Sequence, residues 1–135
     1  MILLDTSAWV EYDRATDSPV DNAVTNLIRD GGKQLASTEP VLMEVLAGAK
    51  DDIRYGSLHR LVTSFQWVPV DPIADFTGAA KIYRSCREKG FTPRGLLDCM
   101  VANIAMRSGS QLLAADRGFV EIAAVVPLRL AETGR

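Results

Sequence analysis

Short apolar runs alternate along the chain with longer segments in which apolar residues recur at helical spacing. The apolar runs predict strands over 1–4, 34–38, 65–70 and 111–115, and 125–130 could form a last strand. The helical spacing predicts helices over 8–14, 19–29, 41–49, 52–64, 72–89 and 96–107. Because strands separated by helices indicate βαβ units, we expect a three-layer α/β/α sandwich with a parallel central sheet.

Size and composition fit one globular domain, which we expect to span residues 1–135. Of the 135 residues, 47% are hydrophobic and 24% are charged, which excludes disordered and fibrous proteins. No apolar run approaches the roughly 18 residues of a membrane span, and no charged region precedes the apolar N-terminus, so we expect a cytoplasmic protein. The two cysteines, Cys86 and Cys99, cannot form a disulfide framework, and the lone His59 excludes a site built on two histidines.

Two acidic residues follow predicted strands directly. Asp5 comes at the carboxyl end of the run MILL, where Thr6 or Ser7 is predicted to cap the next helix, and Asp116 follows the run LLAA. Open parallel sheets bind ligands just outside the carboxyl ends of their strands, so this coincidence favours a site at that edge. Asp is also a common cap or turn residue after a strand, and the pattern alone leaves both interpretations open.

Two further acids lie in apolar helices. Glu44 is the only charged residue in the run VLMEVLA, which is apolar nearly all round and therefore predicts a buried helix. Asp98 shares its helix face with three core-type residues, Val101, Ala102 and Ala105. A first-turn acid interacting with the helix dipole would explain the position of Asp98 but not its apolar neighbours. A buried carboxylate is costly unless it is paired or bound to a cation.

Convergence of these four acids at one sheet edge would create a cation site. Carboxylates about 5 Å apart, at an effective dielectric near ~20, repel each other by about 3 kcal/mol for each pair. Such a cluster must take up protons or bind a cation, and its all-oxygen ligands select Mg²⁺, for which Mn²⁺ substitutes. A magnesium ion with open water positions suits phosphoryl chemistry, because it activates a water while a second ion stabilises the leaving oxygen.

Four stretches of the sequence resemble a PIN-domain ribonuclease, and more narrowly a VapC toxin of type II toxin–antitoxin pairs. They are MILLDTSAWVEY, EPVLMEVLAGA, LLDCMVANIAMRSG and LLAADRGF, and the resemblance extends from residue 1 to about residue 127. It implies that the family's acidic quartet falls on Asp5, Glu44, Asp98 and Asp116. The metal would be held chiefly by Asp5 and Asp98, with Asp116 assisting directly or through water. Glu44 would orient the attacking water or complete the metal shell.

One departure from the family concerns the residue two positions before the last acid. The family often carries Thr or Ser there, whereas this chain has Ala114, which removes a hydroxyl that could orient a water or a neighbouring carboxylate. Two hydroxyls, those of Thr6 and Ser7, remain beside Asp5.

The resemblance also implies an activity and its partners. It implies a Mg²⁺-dependent endoribonuclease toxin that hydrolyses structured RNA such as tRNA, leaves 5′-phosphate and 3′-hydroxyl ends, and so blocks translation and growth. It further implies a homodimer and a cognate VapB-type antitoxin whose tail lies across the acidic site. The alternative is a non-catalytic RNA- or protein-binding module on the same fold, which predicts decay of the acid set, yet all four acids are present. Phosphotransfer receivers and aspartyl phosphatases usually have a second acid close to the first, where this chain has Thr6 and Ser7.

Basic residues are concentrated between positions 81 and 94, although the net charge of the chain is −2. Lys81, Arg84 and Arg87 are spaced three apart and form a ridge on one helix, which is either a solvated face or a phosphate-binding surface. Arg94 lies in the segment that leads to Asp98, and we predict that it holds a phosphate flanking the scissile one. The predicted substrate-binding residues are therefore Thr6, Arg84, Arg87 and Arg94.

Overall fold

The apolar runs form a four-stranded parallel sheet and the periodic segments form helices in the computed structural model, which describes residues 1–133. The strands are β1 (Ile2–Leu4), β2 (Leu35–Ser37), β3 (Gln66–Trp67) and β4 (Gln111–Leu113). The helices are α1 (Thr6–Asp13), α2 (Pro19–Arg29), α3 (Glu39–Ala47), α4 (Asp52–Val62), α5 (Pro72–Glu88), α6 (Leu96–Arg107) and α7 (Gly118–Ala123). None of the helices between residues 1 and 133 is long and apolar enough to cross a membrane.

The strand order of the sheet is β3-β2-β1-β4, and every neighbouring pair is parallel. The chain moves outward from β1 to β2 and β3 and then returns to place β4 on the other side of β1. The order therefore reverses between β1 and β4, and ligands of such sheets bind outside the carboxyl ends of the strands at this reversal. Asp5 follows β1 and Asp116 follows β4, so both acids lie at this point. The α/β sandwich with a parallel sheet is confirmed.

The neighbouring strands β1 and β4 and the helix α6 contribute many of the fully buried residues of the core. The leucines of the two strands alternate between the faces of the sheet and are buried on both: Leu3, Leu4, Leu112 and Leu113. The α6 helix contacts β4, α5, α3 and α7, and it buries the face predicted from Val101, Ala102 and Ala105 completely. Cys86 of α5 and Cys99 of α6 are buried and unbridged, so they serve as small apolar residues of this layer.

The α3 helix is less buried than its apolar composition predicts. Val41 and Val45 are buried, but Met43 is 56% exposed and Ala47 is also exposed. The reason is that the partners of α3, which are α1, α4 and α6, cover only the face that carries the two valines. The prediction of a helix buried nearly all round was therefore wrong. Glu44 lies at the border of the covered face, half-buried and within reach of a ligand.

The chain after β4 also differs from the prediction. Residues 125–130 do not form a strand; Leu130 makes one isolated parallel bridge to Leu112, and Pro127 has no N–H to continue a ladder. The helix α7 was not predicted. It is only six residues long, and it is held by its buried residues Phe119 and Ile122 rather than by a long periodic pattern.

Candidate active site

Asp5 combines a structural role with an unsatisfied oxygen. Asp5 itself, rather than Thr6 or Ser7, caps α1, because its Oδ2 accepts hydrogen bonds from Ser7 N at 3.1 Å and from Ser7 Oγ at 2.7 Å. Its Oδ1 is buried and has no hydrogen-bond partner within residues 1–133. Burial raises the pKa of Asp5 above its ordinary value, the hydrogen bonds from Ser7 oppose this shift, and the charge of Glu44 adds to it. One carboxylate oxygen is therefore available to a ligand.

Ser7 joins the carboxyl ends of the neighbouring strands β1 and β4. Its hydroxyl donates to Asp5 and accepts a hydrogen bond from Ala115 N at 2.9 Å, just after β4. Asp5 N in turn donates to Leu113 O at 2.9 Å. The two segments that carry Asp5 and Asp116 are thus fixed to each other by a hydroxyl of α1, although position 114 carries no hydroxyl. Sequence reasoning noted Ser7 only as a hydroxyl beside Asp5 and missed this connection.

Thr6 brings Glu44 to the same edge of the sheet. The Oγ1 of Thr6 donates a hydrogen bond to Glu44 Oε1 at 2.7 Å, and this contact links the start of α1 to the middle of α3. The bond fixes one carboxylate oxygen of Glu44 and leaves the other free. Thr6, predicted to bind substrate, is placed here as a residue that positions an acid.

Among the four acids, Asp98 has the negative charge that hydrogen bonds and positive charges balance least. It lies in the first turn of α6, and its side chain is 17% exposed. Burial raises the pKa of Asp98 to about 6; the charges of Asp5 and Asp116 add to this, Arg94 opposes it, and Glu44 adds a smaller contribution. Contacts of three residues gather the acids at one edge of the sheet: Ser7 links Asp5 to the segment before Asp116, Thr6 holds Glu44, and Arg94 lies against both Asp98 and Asp116. We call this group the acid cluster (Asp5, Glu44, Asp98 and Asp116).

Arg94 lies against two members of the acid cluster. Its Nη2 donates a hydrogen bond to Asp116 Oδ2 and lies 3.7 Å from Asp98 Oδ2, while the Arg94 side chain remains 76% exposed. Gly118 N donates to the other oxygen of Asp116 at 2.8 Å. Arg94, predicted to hold a phosphate that flanks the scissile one, lies at the rim of the acidic site and contacts two carboxylates there. Its role in substrate binding stays a prediction.

The donor set of the acid cluster fits a hard divalent cation. All its donors are carboxylate oxygens, one of them is a buried Asp5 oxygen with no hydrogen-bond partner among the described residues, and burial together with the neighbouring acids raises the pKa of Asp98. Among residues 1–133, no three acidic, cysteine or histidine side chains are already drawn together as metal ligands.

The basic ridge of α5 lies outside these contacts. Lys81, Arg84 and Arg87 are exposed, and the guanidinium of Arg87 lies 5.8 Å from the ring centre of Tyr83 on the same helix. Between residues 1 and 133, the structure records no ion pair that joins the ridge to the acid cluster. The role of Arg84 and Arg87 in substrate binding therefore stays a prediction.

Comparison with known families and curated sequences gives a consistent assignment. The PIN domain family matches residues 2–125 of this chain. The chain is 43% identical over 131 residues to ribonuclease VapC11 of Mycobacterium tuberculosis, covering 97% of this chain and 98% of that protein. The same identity and coverage relate it to a VapC ribonuclease of Mycobacterium bovis.

Solved structures share the fold at lower sequence identity. VapBC2 from Rickettsia felis, determined in complex with a promoter DNA fragment, matches with a TM-score of 0.74 at 18% identity and covers 97% of this chain and 98% of that chain. VapC20 of Mycobacterium tuberculosis, described as a toxin that cleaves the sarcin–ricin loop, matches with a TM-score of 0.67 at 17% identity. It covers 96% of this chain and 99% of that chain.

Proposed function

This chain belongs to the PIN-domain family of VapC ribonucleases and is an endoribonuclease toxin, and we propose that it hydrolyses phosphodiester bonds in structured RNA with Mg²⁺ held by Asp5, Asp98 and Asp116. Mn²⁺ is expected to substitute, because it accepts the same oxygen ligands. When bound, the ion supplies a Lewis acid that activates a water and stabilises negative charge on the leaving oxygen. The catalytic unit is one ribonuclease domain that spans residues 1–135.

Each acid has a distinct task in this proposal. Asp5 offers its unpartnered Oδ1 to the metal, while its Oδ2 stays fixed by Ser7. Asp98 approaches from the first turn of α6, and Asp116 assists from the end of β4, directly or through water. Glu44, whose Oε1 is held by Thr6, keeps Oε2 free to orient the attacking water and accept its proton. Water attack at phosphorus then leaves 5′-phosphate and 3′-hydroxyl ends.

The single observation that carries this proposal is the buried Asp5 Oδ1. A carboxylate oxygen without a partner in the protein interior is costly, and a chain of this size has few such atoms. Ser7 could satisfy only one of the two oxygens of Asp5. A cation supplied from solution would satisfy the other, and it would also offset the burial and the neighbouring negative charges that raise the pKa of Asp98.

The experiment compares two aspartates that both cap helices. Asp5→Asn keeps the cap of α1, since Asn caps as well as Asp, but it removes the charge from the site. We expect the rate of RNA cleavage to fall at least about 100-fold, because several kcal/mol of transition-state stabilisation are lost. The measurement is sequencing of RNA 5′-phosphate ends with Mg²⁺ present and with EDTA added.

The matched control is Asp51→Asn, which preserves the exposed cap of α4, where Asp51 Oδ1 accepts from Arg54 N at 2.7 Å. It should cut RNA at the wild-type rate. Wild-type cleavage by Asp5→Asn, or full activity in EDTA, would contradict the metal assignment. The second result would also require a metal-free mechanism, for which the chain lacks a pair of histidines.

We propose a VapB-type antitoxin as the regulatory partner. The solved relatives include toxin–antitoxin complexes. A groove of about 640 Å³ runs between α1, α3 and α4, has Val10, Val45 and Leu58 among its lining residues, and begins at Glu44 of the acid cluster. A segment seated in this groove would continue across the acid cluster and block it. Val10→Glu should therefore free cleavage from inhibition by the purified cognate antitoxin, without changing the activity of the toxin alone.

We further propose a cytoplasmic homodimer. Ile73 and Phe76 of α5 are 79% and 63% exposed and are neighbours on one helix face, and exposed apolar residues in such pairs mark interaction surfaces. Light scattering should give twice the mass of one chain. Phe76→Glu should reduce that mass to one chain, whereas an unchanged dimer would place the interface elsewhere.

A further inference from the structure

A second, smaller cavity adjoins the acid cluster on the side of α7. It has a volume of about 200 Å³ and shares Asp98 and Asp116 with the cluster. We call it the side pocket and define it by its remaining walls: Phe91, Thr92, Pro93, Arg94, Gly118, Glu121 and Ile122. A group seated in the side pocket is therefore a direct neighbour of whatever is bound by the acid cluster.

The walls of the side pocket combine an apolar interior with an acidic edge. Phe91 is half-buried, Pro93 and Ile122 are buried, and Glu121 on α7 is exposed at the margin. Asp98, Asp116 and Glu121 together oppose a second anion, since only Arg94 carries a positive charge there. A phosphate is thus a poor occupant, whereas a flat, mostly apolar group with hydrogen-bond donors on its edge matches the walls.

We propose that the side pocket binds one unpaired nucleobase of the RNA substrate, from a nucleotide next to the cleaved bond. This inference rests on the proposed ribonuclease function, because the nucleotide must have its phosphate at the acid cluster. Single-stranded bases that are splayed out of an RNA commonly stack on an aromatic ring, and Phe91 provides that ring. The volume of the side pocket admits one base and no second one.

Glu121 makes the side pocket selective among bases. A carboxylate accepts hydrogen bonds and donates none, so it favours bases that carry an exocyclic amino group. Adenine, cytosine and guanine have such a group, whereas uracil offers only an imide N3–H that lies between two carbonyl oxygens, and a carboxylate repels those oxygens. The toxin should therefore disfavour uridine at one of the two positions that flank the cut. Glu121→Gln should lift this discrimination, because the amide both donates and accepts.

The experiment cleaves a library of randomised single-stranded RNA and sequences the new 5′-phosphate ends. For the wild-type protein, we expect uridine to be depleted at one flanking position; for Glu121→Gln, its frequency there should rise at least about threefold while total cleavage persists. Phe91→Leu keeps an apolar side chain but loses the stacking surface, so KM should rise about 10-fold with little change in kcat. Glu88→Gln, an exposed acid of α5 outside the side pocket, is the matched control and should change neither quantity.

A binding measurement separates this inference from the proposed function. The Asp5→Asn protein, which should not cleave, is titrated with fluorescent five-nucleotide oligo(A), oligo(C) and oligo(U). Weaker binding of oligo(U), abolished by adding Glu121→Gln, supports the side pocket even if the wild-type protein proves inactive on RNA. An active wild-type protein whose base frequencies are unchanged by Glu121→Gln and by Phe91→Leu overturns the side pocket and leaves the ribonuclease intact.

Discussion

Each end of α6 lies near an aspartate, and the surroundings shift the pKa values of the two aspartates in opposite directions. Near the C-terminal end, Asp75 of α5 is completely buried, yet it receives hydrogen bonds from Arg107 at 2.8 and 2.9 Å, from Asn103 at 2.9 Å and from Asp71 N at 2.8 Å. Burial alone would raise the pKa of Asp75, but these bonds outweigh it and lower the pKa below its usual value. At the N-terminal end, the one positive charge paired with Asp98 in the described part of the chain is that of Arg94, 3.7 Å away, and burial together with the neighbouring acids raises the pKa of Asp98 to about 6.

The comparison distinguishes an acid whose partners are supplied by the folded chain from an acid whose missing partner must be a ligand. The bonds to Asp75 are made by the chain itself and fasten α5 to α6, the two helices with the most extensive contact. In the acid cluster, by contrast, Asp98 receives no hydrogen bond from residues 1–133, and the charges of the other three acids oppose its ionisation. Sites of this kind are typical of function, because a bound ligand supplies the missing partner.

The largest expected effect comes from removing the charge of Asp98, at the N-terminal end of α6. Asp98→Asn should lower the rate of RNA cleavage by about 1,000-fold, since a metal ligand and several kcal/mol of transition-state stabilisation are lost. Because the substitution also relieves repulsion, the thermal midpoint of the metal-free protein should stay equal or rise. Single-turnover kinetics and calorimetry measure the two quantities. A folded Asp98→Asn protein with wild-type kinetics would remove Asp98 from the site.

The corresponding substitution of Asp75, near the C-terminal end of α6, should lower stability and leave the cleavage rate almost unchanged. Asp75→Asn leaves the partly buried guanidinium of Arg107 without its counter-ion, and we expect a loss of about 3 kcal/mol in the free energy of unfolding. The cleavage rate of the protein that remains folded should change little, because Asp75 does not touch the acid cluster. Urea unfolding and kinetics at low temperature test this. A loss of activity at full stability would break the comparison.

Sequence reasoning found the elements of the fold more reliably than their ends. The bounds of α2 and α6 agree with the prediction, since long periodic patterns with clear end signals define them. Strand β3 shrinks from the predicted 65–70 to Gln66–Trp67, because hydrogen bonding to a neighbour decides where a strand ends. The six-residue α7 was beyond reach, since it contains less than two turns of periodicity.

In the candidate site, too, some features could be predicted from the sequence and others could not. The positions of Asp5 and Asp116 at strand ends followed from the sequence, because the carboxyl ends of parallel strands share one edge. That Ser7 would bridge these ends, or that Arg94 would turn toward Asp116, depends on contacts between residues 22 to 108 positions apart. Arg107 lies in the last turn of α6, but its partner Asp75 is 32 residues away in the sequence, so helical spacing could not identify the pair.

The dependence of stability on pH gives a third, smaller contrast. The pKa of Asp98 in the folded protein, about 6, exceeds its ordinary value of 3.8, so the folded state binds the proton more tightly than the unfolded chain. Asp98 therefore lowers the stability of the metal-free protein as pH rises from about 4 to about 6, by about 3 kcal/mol in all. The lowered pKa of Asp75 acts in the opposite sense. The stabilisation that Asp75 contributes is present above its ordinary pKa of 3.8 and is lost as pH falls below that value toward the lower pKa of the folded state.

Urea unfolding in EDTA, at several values between about pH 4 and pH 7.5, measures this dependence. The free energy of unfolding of Asp98→Asn should match that of the wild-type protein at the acidic end and exceed it at the neutral end. Taking the difference between the two proteins cancels the other carboxylates. A difference that does not vary with pH would show that Asp98 is already fully compensated.

Replacing Arg94 should have a still smaller effect, which strengthens Mg²⁺ binding and lowers the saturated cleavage rate. Its guanidinium competes with a cation for Asp116, and an exposed ion pair of this kind contributes up to about 1 kcal/mol. Arg94→Gln should therefore tighten Mg²⁺ binding about threefold to fivefold in isothermal titration calorimetry. The saturated cleavage rate should fall, because a guanidinium at the rim no longer aligns the scissile phosphate. Weaker Mg²⁺ binding in this variant would show that Arg94 supports the site instead of competing for it.

The smallest expected effect concerns the ridge of α5, whose charges belong to neither end of α6. Arg84 and Arg87 are exposed and form no ion pair within the described part of the chain, so they are free to contact RNA phosphates. Each lost phosphate contact should flatten the slope of log affinity against log salt by roughly one unit. Replacing both by Gln should weaken RNA binding accordingly, while the rate at saturating RNA stays near that of the wild-type protein because the acid cluster is untouched.

Arg29→Gln, at the end of α2, removes one exposed charge outside the ridge and is the net-charge control for the single variants Arg84→Gln and Arg87→Gln, each of which also removes one charge. Fluorescence anisotropy at several salt concentrations distinguishes the cases. A slope that changes only in the ridge variants assigns the RNA path to α5, since the control alters net charge but no proposed contact. Equal slopes in all variants would mean that the ridge is a solvated helix face and that the RNA approaches the acid cluster from another side.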